Sequence, residues 1–149
     1  MEAIIVEASG GEVFGAGPNR MRFLAQSPDQ EIAITDSTVP PGYPGPVRHR
    51  HARMTDIFYV LEGTLTLHLE EGPRELGPGG FAIVPPGVVH TFSNTGPVPM
   101  RFLNIYQPAG NEHYLKEVAR LMAAGRPPSP AEMAEIAARY DFEVVADEE

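Results

Sequence analysis

The sequence predicts an all-β fold followed by two helices, and three observations carry that expectation. From residue 1 to about residue 110, short β-branched and aromatic runs recur between turn residues: AIIVEA, EVFGAG, RMRFLAQ, EIAITDSTV, DIFYVLEGTLTLHLEE, GGFAIVPPG, VVHTFSNTG and MRFLNIY. Dense short strands of this kind, without interleaved helices, point to a sandwich or barrel. Second, the 16 Pro and 15 Gly residues punctuate these runs, whereas a disordered chain would gather them into tracts. Third, the pattern changes after PAGN. NEHYLKEVARLMAAG sets Tyr114, Leu115, Val118, Leu121 and Met122 on one helical stripe, with Gly125 as its stop. SPAEMAEIAARY then opens with Ser129 as N-cap, Pro130 at the first helical position and Glu132 at the third, a capping-box pattern. DFEVV adds one apolar segment before an acidic tail.

The bulk numbers bound the rest. A chain of 149 residues fits a single domain, 1–149, that buries a continuous core without staples. The absence of cysteine excludes a disulfide framework, a zinc ribbon and a thiol nucleophile together, so any metal must be held by His and carboxylate. A formal charge of -9 opposes affinity for nucleic-acid phosphates. Residues 126–149 hold seven acidic and two basic side chains, so the β region is only mildly acidic and its charge says little about a cavity's preference. No run reaches the roughly 18 apolar residues of a membrane span, and MEAIIVEASG lacks the basic and long apolar regions of a signal peptide. The expectation is a cytoplasmic protein without membrane or nucleic-acid partners.

One stretch carries chemistry: PVRHRHARMTDIFYVLEG. Successive side chains of a strand alternate faces, so His49 and His51 point the same way with Cα atoms about 6.6 Å apart. Two imidazoles at that spacing can converge on one ion, although an isolated His-x-His is more simply two polar residues on a wet face. Downstream, Pro85-Pro86-Gly87 cannot continue a central strand and forces a turn that delivers His90. His68, beside Glu70 in TLTLHLEE, reads as an exposed strand residue, and His113 as a surface or packing residue at a helix start. Glu62 lies about 20 Å from Asp56 along an extended strand and is too far to share a site.

These intervals resemble the two motifs of the cupins, G-x5-H-x-H-x3/4-E-x6-G and G-x5-P-x-G-x2-H-x3-N. Gly79, Pro85, Gly87, His90 and Asn94 fill every position of the second. His49, His51 and Gly63 match the first, while its opening Gly sits early at Gly42 or late at Gly45, and its Glu is Asp56. The resemblance covers residues 30–108 and leaves 111–140 as a C-terminal helical extension. It implies a double-stranded β-helix, or jelly-roll barrel. It also implies a divalent transition metal held by His49, His51, Asp56 and His90, with Fe, Mn, Ni, Co, Cu and Zn all compatible with that donor set. Asp is one methylene shorter than Glu, about 1.5 Å of reach. Asp56 therefore either ligates the ion or serves beside it as a catalytic base.

Strand parity with the ligands makes Phe58, Val60, Ile83 and Phe92 candidate pocket walls, or simply core. For MRFLNIYQ either face is compatible with an inward orientation, so Arg101 on one face, or Phe102 and Asn104 on the other, are candidates for the lining, together with Tyr43 at the mouth. The surroundings of the site resemble small quercetin-dioxygenase-like cupins. That likeness implies a dioxygenase-like enzyme acting on a small enol, catechol or flavonol-like molecule. A non-redox isomerase, cyclase or lyase acting on a small carbonyl compound, and a non-catalytic binding module, are the alternatives. A homodimer is the expected assembly.

Overall fold

The computed structural model describes residues 2–146. In chain order these form β1 (Glu12–Ala16), β2 (Asn19–Ala25), β3 (Ala33–Val39), β4 (His49–Arg50), β5 (Thr55–Glu62), β6 (Leu65–Leu69) and β7 (Gly72–Leu76). They continue with β8 (Phe81–Val84), β9 (His90–Ser93), β10 (Met100–Gln107), α1 (Glu112–Ala123), α2 (Pro130–Ala138) and β11 (Glu143–Val144). Two antiparallel sheets result, ordered β1-β2-β3-β10-β5-β8 and β11-β4-β9-β6-β7. Their hydrogen-bonded ladders do not close into one continuous barrel. This is the mostly-β, two-helix architecture that the sequence predicts.

Alternation decides which residues fill the space between the sheets. On β10, Met100, Phe102, Asn104 and Tyr106 are buried while Arg101, Leu103 and Ile105 face the other way, which settles the parity of that strand. Phe58 and Val60 of β5, Leu65 and Leu67 of β6, Val84 of β8 and Val39 of β3 join Met100 and Phe102 in the main core. At about 25 cal/mol per Å² of apolar surface removed from water, burial on this scale is the dominant favourable contribution to folding. A second cluster, Tyr114, Ile136, Ala137 and Phe142, seats the helices. The helix starts follow their local chemistry. At α2 the Ser129 hydroxyl accepts from the Glu132 N–H while the Glu132 carboxylate accepts from the Ser129 N–H, completing the box.

The run AIIVEA forms no strand, and Ile4 and Ile5 remain exposed. Strand propensity needs an edge to pair with. Here the Arg22 guanidinium takes the carbonyls of Glu7 and Gly10 instead of a ladder doing so. One glycine of the loop before β4 is also decided. Gly45 has φ +83°, and a Cβ there would sit 1.6 Å from the Phe92 carbonyl oxygen, so only glycine lets the loop lie against β9. Asn94, fully buried, ties the same loop down by donating to the carbonyl of Pro40, and donates also to that of Val98 in the loop before β10.

On the other face of the six-stranded sheet, the Asp36 carboxylate accepts from Arg101 at 2.9 and 2.8 Å and from Arg22 at 3.3 Å. The Arg101 hydrogen bond leads in holding the Asp36 pKa below 3.8, against the opposing effect of burial. A depressed carboxylate contributes stability that is complete above its unfolded value and disappears as pH falls through its folded one. Asp36→Ala should therefore cost about 2 kcal/mol near pH 7, below the range for fully buried pairs because Arg101 is partly solvated. Urea unfolding of wild type and variant should show that gap constant down to about pH 5 and shrinking below about pH 4. A gap undiminished at about pH 2 would contradict the assignment.

Candidate metal centre

Both sheets contribute to one cluster. β4 pairs with β9 in the register His49↔His90, which sets two imidazoles side by side on one face. His51 follows two residues after His49, and its carbonyl is pinned by the N–H of Gly87 at 2.7 Å, so the Pro-Pro-Gly turn anchors the His51 loop as well as aiming His90. The opposite sheet supplies Asp56, the second residue of β5, paired with Tyr106 on one side and Val84 on the other. The ring centroids of His49 lie 4.9 Å from His51 and 4.5 Å from His90. All four side chains are buried, and one potential ligand atom from each lies within 4.8 Å of the others.

The hydrogen bonds around the rings determine which nitrogen faces inward. His49 Nδ1 donates to the Val47 carbonyl at 2.7 Å, His51 Nδ1 to that of Asp141 at 2.5 Å, and His90 Nδ1 to that of Val88 at 3.0 Å. A carbonyl only accepts, so each Nδ1 carries the proton and each Nε2 presents a lone pair. His90 Nε2 stands 3.1 Å and His51 Nε2 3.7 Å from Asp56 Oδ2. Asn104 Nδ2 donates to the other carboxylate oxygen, Oδ1, at 2.6 Å. His51 Nε2 is buried and, among the described residues, has no hydrogen-bond partner.

Three lone pairs and an anionic oxygen converging out of water repel one another unless a cation lies between them. Neighbouring donors about 2.1 Å from one ion stand about 3 Å apart at right angles, as His90 Nε2 and Asp56 Oδ2 do at 3.1 Å. The residues fit a divalent transition metal, and four protein ligands leave open positions on a six-coordinate ion. The shortened carboxylate reaches the cluster because β5 itself carries it there.

The charge states of His49 and Asp56 favour ligation, while at His51 a proton competes with an ion. Burial, then the neighbouring His90, pulls His49 down to about 4, so it is neutral and ready to bind near pH 7. For His51 burial acts in the same direction, but the nearby Asp56 carboxylate and the Asp141 carbonyl outweigh it and the net shift is upward. Burial raises Asp56, yet the neighbouring His51 and His90 imidazoles outweigh it and the net shift is below the usual carboxylate range.

The cluster opens onto a cavity of about 520 Å³. Thr35, Ser37, Asn104, Tyr106 and Phe102 of the six-stranded sheet form one wall, with Tyr43 and Phe92 beside them. The opposite wall is α1, through Tyr114, Leu115, Val118 and Met122, and Phe142 closes the end nearest the histidines. Four expected wall residues lie elsewhere. Phe58 and Val60 belong to the sealed core beneath, Phe58 meeting His90 edge-on at 6.4 Å. Ile83 points outward and is 55 % exposed, because the face buried on β8 is that of Val84; parity carried across the Pro-Pro-Gly turn does not hold. Arg101 is on the outer face with Asp36.

Among the other acids and imidazoles, Glu62 is exposed opposite Arg101 at 3.8 Å. His68 Nε2 meets the Ser93 hydroxyl, and His113 Nε2 that of Ser27. Sequence reasoning missed the α1 wall, Phe142 and Asp141. The stripe Tyr114, Leu115, Val118 and the apolar DFEVV segment were the available signals, but neither shows what it packs against.

Purified protein loaded with Ni(II) or Co(II) should hold about one ion per chain, and His51→Ala or His90→Ala should reduce that affinity by at least 100-fold. Acid should act through His51 first. Its pKa lies above 6.5, so protons compete with the ion as pH falls through that raised value, whereas His49 stays neutral to about pH 4. Calorimetric titration should show affinity dropping from about pH 7 downward; an affinity flat to about pH 5 would contradict this.

Comparison with known proteins places the fold. Residues 35–106 match the cupin domain family. The chain is 30% identical over 90 residues to quercetin 2,3-dioxygenase of Bacillus subtilis, covering 59% of this chain and 26% of that protein. It is 36% identical over 92 residues to an uncharacterised protein of Aquifex aeolicus, covering 62% and 63%. The chain thus spans about a quarter of the length of the dioxygenase and less than two thirds of the Aquifex relative. Among solved structures, the polyketide cyclase RemF from Streptomyces resistomycificus superposes with a TM-score of 0.60 at 26% identity, covering 71% of this chain and 80% of that one. An RmlC-like cupin from Shewanella frigidimarina gives 0.62 at 21% identity, covering 76% and 96%. Motifs, sheet topology and matched residues agree: the chain has the cupin fold, and residues 35–106, just under half of it, match the cupin domain family.

Proposed function

We propose that this cupin is a metal-dependent, dioxygenase-like enzyme acting on a small, largely apolar enol, catechol or flavonol-type molecule. The carrying observation is the placement of the His49, His51, Asp56 and His90 cluster at the end of an aromatic and aliphatic cavity of about 520 Å³. That volume suits a two- or three-ring molecule. A divalent ion held by those four residues would supply Lewis acidity and, if redox-active, a path for electrons from an enolate to O2.

The chain's own groups account for binding and proton handling. Phe92, Phe102 and Tyr43 offer ring faces for a flat substrate, with Tyr43 and Phe92 6.0 Å apart and Phe92 and Phe102 5.2 Å apart. Burial pushes the Tyr43 phenol up, so it stays neutral and able to donate. The apolar α1 wall keeps water from a bound enolate. Asp56 is held through Oδ1 by Asn104, which leaves Oδ2 on the histidine side, either to hold the ion or, where the three histidines alone hold it, to accept the substrate hydroxyl proton.

A second reading is favoured by the likeness to a polyketide cyclase at 26% identity. In it the same site polarises a carbonyl and Asp56 moves a proton without net oxidation. Oxygen uptake with Fe(II), Mn(II), Ni(II) or Cu(II) and a panel of flavonols, diketones and catechols separates the readings. The proposal expects O2 consumption matched to product, and a 10²- to 10⁴-fold loss of turnover in metal-loaded Asp56→Asn, the usual size of a general-base contribution. Product formation unchanged under anaerobiosis would replace it with the non-redox reading. Tight binding without turnover under every metal would leave a binding module.

A further inference from the structure

We infer that the C-terminal strap, residues 141–145, is part of the metal site, and that Asp141 is the residue that positions His51 within it. The inference rests on the metal reading of the four-residue cluster. It concerns residues well outside the matched span 35–106.

Asp141 makes two kinds of contact with the ligand loop. Its carboxylate accepts three consecutive backbone N–H groups, Ala52 at 2.6 Å, Arg53 at 2.9 Å and Met54 at 2.8 Å. Its own carbonyl accepts His51 Nδ1. Residues 52–54 link His51, just past β4 of one sheet, to β5 and Asp56 of the other. Charge-assisted hydrogen bonds to three successive amides fix that link and orient it. They also fix where the Asp141 carbonyl stands relative to His51, and that carbonyl decides which ring nitrogen is free.

The rest of the strap covers the neighbouring ligand. Phe142 stacks on His49 with ring centroids 4.2 Å apart and planes 15° from parallel, and on its other side stacks with Tyr114 of α1 at 4.7 Å. Val144 pairs with His49 in the β11–β4 ladder, and the Val145 N–H donates to the Arg48 carbonyl at 2.9 Å. A segment needed only to dock α2 has no reason to touch two metal ligands and the link between the sheets. Asp141 is thus a positioning residue, acting on the ion through His51.

The test uses full-length Asp141→Ala and Asp141→Asn, the latter keeping one acceptor oxygen and the side-chain volume. Ni(II) or Co(II) titration should show a 10- to 100-fold loss of affinity for the alanine variant, the usual effect of removing a partner that orients a ligand, and a smaller loss for asparagine. In the metal-free proteins, long-range nitrogen–proton NMR of the imidazoles should show His51 losing its single Nδ1–H tautomer while His90 keeps its own. Co(II) absorption should change in band position as well as in occupancy. Wild-type affinity, spectrum and His51 resonances in both variants, with only the melting temperature lowered, would overturn the inference. If the alanine variant fails to fold, the asparagine variant decides by the same readings. A wild type that binds no ion would overturn the metal reading itself, and the His51 resonances would then judge the positioning role alone.

Discussion

Three backbone carbonyls, those of Val47, Val88 and Asp141, each take the Nδ1–H of one buried histidine, and the chemistry of the site follows from that choice. With the proton committed outward, the three Nε2 lone pairs have no alternative but to face each other and Asp56. Burying four ionisable groups in this way costs several kcal/mol that the main core and the two sheets offset. The arrangement holds only because the carbonyls belong to rigid backbone: a loop end before β4, the turn after Pro85-Pro86, and the strap after α2. Loosening any of them would free a ring to rotate, and the inward set would lose its common centre.

The two sheets divide the work. Toward one end their facing sides carry Phe58, Val60, Leu65, Leu67, Met100 and Phe102, a dry core that fixes the spacing. Toward the other, the same alternation on β10 presents Asn104 and Tyr106, and on β3 Thr35 and Ser37, so the strands that build the core also line the cavity. The transition needs no change of register, only a change of side chain along one face. Asn104 illustrates the economy: its amide satisfies the Asp56 carboxylate and the Ile57 carbonyl together, which leaves the free carboxylate oxygen directed at the imidazoles.

How much of this was legible in the sequence follows from which forces are local. Turn residues, strand alternation and the capping box at Ser129 act over a few positions, so the β region and both helices could be read from the sequence, while the four clustered side chains came only with the resemblance to the two cupin motifs. Asn94 could be matched but not explained, since its role is to hold the loop before β4 through the carbonyl of Pro40, a tertiary contact. Ile83 was misplaced because parity does not carry across a turn, and the face of Arg101 stayed open because its partner, Asp36, is 65 residues away. AIIVEA read as a strand on propensity alone, while the structure gives it no ladder. Asp141 and Phe142 were invisible for the same reason in reverse: they sit in an unremarkable segment about 90 residues from the histidines they touch.

The central claim is that three imidazoles and one carboxylate bind one ion through Nε2 and Oδ atoms. X-ray absorption at the metal edge of Ni(II)- or Co(II)-loaded protein tests it most directly, because imidazole rings give multiple-scattering features that count histidines. The account predicts three imidazole nitrogens at about 2.1 Å with oxygen completing the shell, and two after His90→Ala. A shell of oxygen alone, or a histidine count unchanged by that substitution, would contradict it.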